Sequence, residues 1–387
     1  MEEKRILIIS GEASGDIHGA ALIEELKGLI PSLKIFGMGG PRMREAGQEG
    51  FDAGDMAVVG VAEVVGRLPA ILRRLRELKA ILDRERIDGV VLIDYPDFNL
   101  RFAKEAKKRG IPVIYYISPQ VWAWRRGRVK KIARLVDKML VVFPFEVPIY
   151  EEAGVDVEFV GHPLMDRVSC PLDKNEAKAA LGYERTEVVV TLLPGSRKEE
   201  AATLLPVMLE GAVEAAEASR WKVRILIPAS ENIDEMLLKT VLKGCPEFVR
   251  TVEGEMYTAL RASDTAVIAS GTATLEAAII GTPMLIVYKL STLSYMLAKL
   301  LVGVEYVGLP NIVSEKPIVP ELIQGAVTPA NITEELCWLI EGGATTMEMM
   351  AGIAKIRDGC LGEPGASKRA AEAVYRVLEA STSVGRG

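Results

Sequence analysis

Asp94 is the residue of this 387-residue sequence best suited to act as a general base. It directly follows the apolar run Val90–Ile93, so its carboxyl group leaves a hydrophobic core. Desolvation there raises the pKa of a carboxylic acid toward the range that suits proton abstraction at neutral pH. We predict that Asp97 caps the helix that begins at Phe98. Helix capping by both aspartates, without catalysis, is the alternative that this pattern leaves open.

The segment Leu192–Arg197 has the residue types that bind a phosphate group. Gly195 and Ser196 allow backbone amides to approach an anion closely. Arg197 adds a planar, permanently charged guanidinium group whose geometry matches phosphate oxygens. The alternative is a capped turn with a solvated arginine.

A second phosphate-binding pattern begins at Ser270, Gly271 and Thr272, which follow an apolar run and open a predicted helix. The N–H groups and the dipole of such a helix start attract a phosphate without lysine or metal. Glu276 lies one turn further along, within reach of a pair of sugar hydroxyls. Because it is alone among apolar residues, its burial is costly unless another group hydrogen-bonds it. This favours a functional role over simple capping.

The segment Ser10–Asp16 follows the first predicted strand and contains two glycines. Its place at a helix start suits anion binding. However, it matches neither the G-x-G-x-x-G pattern nor a Walker loop, so it carries no specific nucleotide signal. The alternative is a tight turn in which Asp16 caps the following helix.

A basic patch with adjacent aromatic residues lies between positions 122 and 134. Trp122 and Trp124 accompany six basic residues among the ten from Arg125 to Arg134, and no acid lies among those ten. Nucleic acid, a phosphorylated lipid or an anionic membrane surface would fit this patch, and a solvated helix face is the alternative. Core packing explains most of the apolar region Val58–Leu82, which includes Val59, and its several arginines leave a second interfacial surface as the other option.

These segments need a scaffold that brings strand ends together, and the sequence predicts one. Short β-branched runs alternate with amphipathic stretches, which indicates two doubly wound α/β domains with parallel sheets. We place the domains at 1–165 and 166–387, and past Pro320 we expect helices only. The predicted strands are Arg5–Ser10, Lys34–Met38, Gly89–Asp94, Pro112–Ser118, Lys138–Phe143, Val157–Gly161, Glu187–Leu193, Lys222–Pro228, Phe248–Val252, Thr265–Ala269 and Pro283–Tyr288.

The composition argues against several other classes of protein. Lysine and arginine total 47 against 53 acidic residues, a net charge of −6, and the 49% hydrophobic and 26% charged fractions are those of a globular protein. The four cysteines form no C-x-x-C pair, and His18 and His162 are too few and too far apart for a metal site. No G-x-S-x-G nucleophile elbow occurs. Disulfide scaffolds, metalloenzymes and serine hydrolases are therefore disfavoured.

The compartment follows from the first residues and from one long apolar stretch. Met1 precedes charged residues and an apolar run too short for a signal peptide, so we expect a cytoplasmic protein. Thr265–Tyr288 is long enough to span a membrane. Gly271, Gly281 and Pro283 interrupt it, which favours a buried strand–helix–strand unit instead.

Nine motifs resemble those of the lipid A disaccharide synthase family and occur in the same order. The resemblance extends from about residue 5 to residue 312. It implies an inverting glycosyltransferase of the GT-B architecture, with two Rossmann-like domains facing each other across a cleft and a helical C-terminal tail. The motifs are Ser10–Asp16 (SGEASGD), Gly39–Met43 (GGPRM), Ile93–Asn99 (IDYPDFN), Ser118–Arg126 (SPQVWAWRR), Phe143–Glu146 (FPFE), Val160–Pro163 (VGHP), Leu192–Arg197 (LLPGSR), Ser270–Glu276 (SGTATLE) and Leu309–Asn311 (LPN).

The resemblance also implies a reaction. The family joins UDP-2,3-diacylglucosamine to 2,3-diacylglucosamine 1-phosphate (lipid X) and forms the β-1,6-linked lipid A disaccharide 1-phosphate and UDP. Its catalytic aspartate falls on Asp94 and its phosphate-binding arginine on Arg197. Its conserved asparagine falls on Asn311, and Glu276 stands where related transferases hold the UDP ribose. The donor candidates are Gly195, Ser196, Arg197, Ser270, Gly271, Thr272, Glu276 and Asn311.

On this resemblance, residues 1–165 bind the acceptor and face the membrane, and residues 166–387 bind the UDP-sugar donor. We expect no metal, since no D-x-D pair is present, and no other cofactor. We expect a protein attached peripherally to the anionic inner-membrane surface, with no nucleic-acid partner, and a homodimer is one option. The candidates for acceptor or membrane contact are Ser14, Asp16, Val59, Trp122, Trp124, Arg125, Arg126 and Arg128.

Two other functions stay open at this point. A UDP-sugar epimerase also uses the GT-B architecture, but it would need no surface for acyl chains. A non-catalytic membrane or nucleic-acid adaptor could use the patch Arg125–Arg134, yet it would need neither Arg197 nor Glu276.

Overall fold

The structure, a computed structural model, describes residues 3–53, 61–122, 127–195, 197–229, 235–290 and 306–384. The chain divides into two compact units. The first unit comprises Met1–Asp166 and Leu361–Gly387, and the second comprises Arg167–Cys360. Each unit is built around one parallel β-sheet.

The sheet of the first unit has seven strands in the spatial order β3-β2-β1-β4-β5-β6-β7. The strands are β1 Lys4–Ser10, β2 Leu33–Gly39, β3 Glu49–Asp52, β4 Gly89–Ile93, β5 Val113–Tyr116, β6 Lys138–Val141 and β7 Val157–Phe159. The helices along this part of the chain are α1 Ala13–Leu29, α2 Pro41–Glu45, α3 Val61–Arg84, α4 Pro96–Lys108, α5 Arg128–Ile132, α6 Glu146–Glu151 and α7 Leu164–Arg167.

Burial on both faces explains the continuous apolar runs of the central strands. Ile6–Ile9 in β1 and Val90–Ile93 in β4 are inaccessible to solvent, as expected for parallel strands covered by helices on each side. The two strands pair in register up to Ser10 and Ile93. Their carboxyl ends therefore lie side by side.

The sheet of the second unit has six strands in the order β10-β9-β8-β11-β12-β13. The strands are β8 Val188–Leu193, β9 Val223–Ala229, β10 Val249–Glu253, β11 Thr265–Ala269, β12 Met284–Tyr288 and β13 Glu321–Ile323. The helices are α8 Lys174–Ala180, α9 Lys198–Ala218, α10 Glu235–Val241, α11 Met256–Ala262, α12 Thr272–Ile280, α13 Leu309–Ser314, α14 Pro329–Glu341 and α15 Ala344–Lys355, with a 3₁₀ turn at Gln324–Ala326 and a π-helical turn at Ile356–Cys360.

The predicted fold class of two doubly wound α/β domains is confirmed. Thr265–Tyr288 forms β11, α12 and β12, as the buried strand–helix–strand interpretation expects. Within the described ranges, no helix is long and apolar enough to cross a membrane. The expectation of helices only beyond Pro320 is wrong, because β13 adds a short parallel strand beside β12. Three residues are too few to show a strand periodicity in sequence.

The end of the chain belongs to the first unit, contrary to the expectation that 166–387 form one domain. Helix α16, Ala366–Val384, follows the second unit and returns to the first. The Arg369 Nε donates to the Val160 carbonyl at 2.8 Å. The Leu378 side chain packs so closely on β4 that a Cβ at Gly89 would lie 2.5 Å from it. These long-range contacts hold helix α16 against the first unit.

Candidate active site

Two strand ends meet where the order of the first sheet changes direction. β1 and β4 are neighbours there, and Ser10 lies opposite Ile93. The loops Gly11–Glu12 and Asp94–Tyr95 therefore leave the sheet side by side. Open α/β sheets bind their ligands at such a position.

The backbone at Asp94 is held in a left-handed conformation. The angle φ is +44° at Asp94 and +47° at Tyr95. The Asn99 side chain donates to the carbonyl oxygens of Ile93 and Asp94 at 3.1 and 2.6 Å. The Tyr115 hydroxyl also donates to the Asp94 carbonyl, at 2.5 Å. These bonds offset a conformation that costs about 1–3 kcal/mol per residue, and they fix the direction in which the strand end leaves the sheet.

The carboxyl group of Asp94 has a pKa that suits a general base at neutral pH. Its pKa is raised from 3.8 to about 7, mainly by burial and also by the nearby Glu12 charge, while a hydrogen bond from the Tyr95 backbone opposes the shift. The predicted elevation of this pKa is confirmed. At neutral pH the group exists in both protonation states, which suits proton transfer.

Asp97 does not cap helix α4, contrary to our prediction. The N-cap position is Tyr95, and no side chain caps it. Asp97 lies in the first turn and pairs with the Arg128 guanidinium instead. The guanidinium group of the candidate Arg128 therefore forms an ion pair within the protein.

The loop after β1 packs closely on the Asp94 loop. A Cβ at Gly11 would lie 2.4 Å from the Tyr95 ring, so only glycine fits there. Asp16 is buried, and its carboxylate accepts hydrogen bonds from the Arg42 and Met43 backbone N–H groups at 3.1 and 3.0 Å. It holds the start of α2 rather than capping α1, whose N-cap is Glu12. Among the acceptor candidates of this loop, Ser14 is exposed.

A cavity of about 330 Å³ lies at the corresponding point of the second sheet. β8 and β11 are neighbours there, with Leu193 opposite Ile268. The cavity has the size and the mixed lining typical of a small-molecule site. Its lining includes Gly195, Glu200, Ser270, Gly271, Thr272 and Glu276.

Next to the loop after β8, Glu200 of α9 places a carboxyl group at this cavity, whereas Arg197 does not line it. Gly195 has φ +106°, and a Cβ there would lie 2.2 Å from the Glu200 carboxylate. Burial raises the pKa of Glu200, and the Arg197 charge opposes that shift. The Arg197 side chain is exposed at the start of α9. Ser196 lies outside the described residues.

The start of α12 presents backbone donors to the same cavity. Gly271 is the N-cap residue, and Thr272 and Ala273 line the cavity. The first N–H groups of a helix have no partner within it and carry the positive end of its dipole. The Ser270 hydroxyl donates to the Val307 carbonyl at 2.9 Å, so this side chain is hydrogen-bonded within the second unit.

Glu276 is buried at this cavity, and two side chains bind one of its oxygens. The Arg167 guanidinium lies 2.5 Å from Oε1, and the Tyr257 hydroxyl donates to the same atom at 2.9 Å. Burial and the Glu276 charge raise the pKa of Tyr257 to about 12, so the hydroxyl stays protonated as a donor. The expectation that a buried Glu276 needs a hydrogen-bonding partner is confirmed. Sequence reasoning did not identify Arg167 or Tyr257.

Asn311 is fully engaged inside the second unit. Its amide nitrogen donates to the Val319 carbonyl at 2.8 Å and to Glu321 at 2.7 Å, and its oxygen accepts from the Val319 N–H at 2.9 Å. Glu321 also accepts from the backbone N–H groups of Val307 and Gly308. Asn311 does not line the cavity that contains Glu276. It supports the loop that binds the Ser270 hydroxyl.

The aromatic part of the basic patch is hydrogen-bonded to a buried acid, Glu146, which sequence reasoning included only as the last residue of the FPFE motif and without a role. The Trp122 Nε1 donates to Glu146 at 3.3 Å, and the Ser118 hydroxyl donates to the same carboxylate. Burial raises the pKa of Glu146 to about 7, against these hydrogen bonds. The candidates Val59, Trp124, Arg125 and Arg126 lie outside the described residues.

Two comparisons with known proteins match nearly the whole chain. A family model described as lipid-A-disaccharide synthetase matches residues 6–375 of this chain. A lipid-A-disaccharide synthase of Syntrophus aciditrophicus is 45% identical over 383 residues, which cover 98% of this chain and 100% of that protein. The match therefore includes both sheets and most of the C-terminal helix.

Two solved structures share the fold. The glycotransferase of kitacinnamycin has a TM-score of 0.66 at 18% identity, covering 98% of this chain and 100% of that chain. The UDP-GlcNAc 2-epimerase from Neisseria meningitidis bound to UDP-GlcNAc has a TM-score of 0.64 at 15% identity, covering 96% and 100%. The GT-B architecture implied by the motifs is thereby confirmed.

Proposed function

The chain belongs to the lipid-A-disaccharide synthetase family, and from this premise we propose its substrates and the residues that act on them. It is a UDP-sugar glycosyltransferase of lipid A biosynthesis. The donor is UDP-2,3-diacylglucosamine and the acceptor is lipid X. The acceptor hydroxyl oxygen attacks the anomeric carbon of the donor from the face opposite the UDP, which inverts the configuration and releases UDP.

Asp94 takes the proton from the acceptor hydroxyl. The observation that carries this assignment is its half-buried carboxyl group directly after β4, whose pKa is raised to about 7 mainly by desolvation. Such a group is ionised often enough at neutral pH to accept a proton, and it is more basic than a solvated aspartate. Asn99 and Tyr115 fix the backbone from which it projects.

The cavity beside β8 and β11 binds the UDP portion of the donor. Arg197 and the backbone N–H groups at Gly195 and at the start of α12 stabilise the negative charge that develops on the departing diphosphate. Glu276 accepts hydrogen bonds from the ribose hydroxyls. The assignments of Gly195, the start of α12 and Glu276 rest on the shared cavity lining. That of Arg197, which is exposed at the start of α9 and does not line the cavity, rests on its residue type and on the family motif.

An epimerase or an adaptor is not favoured. The family match extends over residues 6–375, and a relative that matches 98% of this chain is named as a synthase. The likeness to an epimerase is one of fold, at 15% identity.

Product analysis tests the proposed reaction. We expect pure protein incubated with UDP-2,3-diacylglucosamine, lipid X and a chelator to form a disaccharide 1-phosphate and UDP in equal amounts, because cationic and dipolar groups replace a metal. Mass spectrometry detects both products, and omission of either substrate is the control. A product formed from the UDP-sugar alone, or activity lost with the chelator and restored by a divalent metal, would contradict the proposal.

Attachment to the membrane surface is the second part of the proposal, since both substrates carry acyl chains. In α3, Leu72 is 43% exposed, which supports an apolar contact. In α5 and just after it, Lys130, Lys131 and Arg134 are exposed. Arg128 contributes less charge to that surface because it is paired with Asp97.

We expect a triple Ser variant at Lys130, Lys131 and Arg134 to bind anionic vesicles more weakly, by roughly 1 kcal/mol per charge close to the surface. High salt should weaken the parent's binding similarly, because the attraction is screened over about 8–10 Å. Sedimentation with vesicles at low and high salt measures both effects. A variant that sediments like the parent at both salt concentrations would show that this helix face is only solvated.

The control for that experiment removes the same charge elsewhere. UDP affinity should be unchanged in both variants, which separates the membrane contact from the donor site. The control variant replaces three exposed cations of the second unit with Ser, at Arg185, Lys243 and Lys316.

A further inference from the structure

The buried carboxylate of Glu276 is approached by its two donors from one side only. Its side chain is 7% exposed, whereas that of Arg167 is 38% exposed. Arg167 and Tyr257 both bind Oε1. Glu276 also lines the cavity of the second unit, so the rest of its carboxylate is available to a ligand there.

The two donors are not equivalent. Tyr257 lies in α11, 19 residues from Glu276 in sequence, and supplies a neutral hydroxyl. Arg167, the first residue of the second unit, is 109 residues away and supplies a full charge. A buried carboxylate is costly without a charged or hydrogen-bonding partner. Arg167 is therefore the charged partner of this carboxylate, and Tyr257 is its neutral partner.

We propose that Arg167 is a positioning residue that orients the Glu276 carboxylate for the ribose hydroxyls of the donor, and so sets the preference for a ribonucleotide. This inference rests on the proposed role of Glu276 in binding the ribose. Arg167 itself does not line the cavity and acts through Glu276. With Oε1 held by two donors, the carboxylate has one defined orientation toward the cavity. Without Arg167, Tyr257 alone holds that oxygen, and the orientation of the carboxylate is less strictly defined.

The preference for UDP over 2′,3′-dideoxy-UDP measures this role. The two nucleotides differ only in the ribose hydroxyls, so a general loss of fold or of diphosphate affinity changes both dissociation constants and leaves their ratio unchanged. We expect the parent to prefer UDP by about 10- to 150-fold, as charged hydrogen bonds provide. Arg167→Gln should reduce that preference by about 3- to 10-fold.

Matched variants make the result specific. Arg185→Gln is the control, since Arg185 is an exposed arginine of the same unit, and it should retain the parent's ratio. Arg167→Lys should recover part of the preference, because a lysine keeps the charge but not the planar fork. Calorimetry gives the two dissociation constants, and thermal unfolding checks each variant. If Arg167→Gln does not fold, Arg167→Met keeps the aliphatic stem and takes its place.

The outcome for Glu276→Gln separates this inference from the proposed function. If Glu276→Gln lowers the preference for UDP and the Arg167 variants do not, the positioning role is overturned and the ribose role of Glu276 stands. If neither residue affects the preference, the ribose assignment itself fails and the inference falls with it. A reduced preference in both supports the positioning role.

Discussion

Replacing Asp94 with Asn should lower kcat by about 10²–10⁴-fold, the usual contribution of a general base. Asn has the same shape and tolerates the left-handed backbone at φ +44°, so the variant should fold. It cannot accept the proton of the acceptor hydroxyl. UDP affinity should barely change, since UDP binds through other residues. Steady-state kinetics with both substrates and calorimetry with UDP measure the two quantities.

The pH dependence gives the same prediction a second readout. The base must be ionised, so kcat/KM of the parent should fall as the pH drops below about 7, the pKa of Asp94. Glu146 also has a pKa of about 7. If the fall in kcat/KM at low pH is absent in Asp94→Asn, that fall is due to protonation of Asp94 and not of Glu146.

The free energy of unfolding should depend on pH in the opposite direction to kcat/KM, so the folded protein should lose stability as the pH rises. The folded pKa of Asp94 is raised, so the favourable contribution of its protonated form is complete below the ordinary value of 3.8 and is lost as the pH rises through about 7. Asp94→Asn should then be at least as stable as the parent at pH 8.

Asp97→Asn is the matched control for this variant. Asp97 is an exposed acid three residues away that pairs with Arg128. It should keep near-parental turnover. An Asp94→Asn variant that retains more than about a third of parental turnover would exclude Asp94 as the base, because general-base catalysis contributes far more than that.

Replacing Arg197 with Ala should weaken UDP binding by about 10- to 150-fold, through loss of a charge-assisted hydrogen bond worth roughly 1.5–3 kcal/mol. Arg197→Lys should recover only part of that affinity, because a point charge cannot reproduce a bidentate guanidinium. Calorimetry with UDP measures both variants. The effect should disappear with uridine, which has no diphosphate for Arg197 to contact.

The neighbouring residue provides the control for the donor site. Lys198 is exposed in the first turn of α9, so Lys198→Ala removes the same charge from nearly the same place. It should change UDP affinity much less than Arg197→Ala does. Equal losses in the two variants would indicate a general electrostatic attraction, and unchanged UDP binding in Arg197→Ala would remove Arg197 from the site.

The sequence alone determined the architecture and the raised pKa of Asp94. Strands of a parallel sheet are buried on both faces, so each appears as a continuous local run such as Val90–Ile93. Glycine-containing loops and helix starts after those runs are local as well. A residue that directly follows a buried strand lies beside the apolar core around that strand, whatever the rest of the fold is. Desolvation by this core is the main cause of the raised pKa of Asp94.

Only the tertiary structure decided which groups each acid contacts. Asp16 binds the Arg42 N–H across 26 residues of sequence, Asp97 binds Arg128 across 31, and Glu276 binds Arg167 across 109. The helix-capping roles considered for the first two acids came from local patterns, and each acid instead has a distant partner. Local patterns favour caps because a cap involves residues within one turn.

The C-terminal helix shows the same limit on a larger scale. Its amphipathic pattern predicts a helix from neighbouring residues alone, but the pattern does not specify the surface that the helix covers. Arg369 and Leu378 pack on the first sheet, more than 200 residues away in sequence. An apolar face fits many partners of similar shape, and the complementary surface exists only once distant strands have assembled.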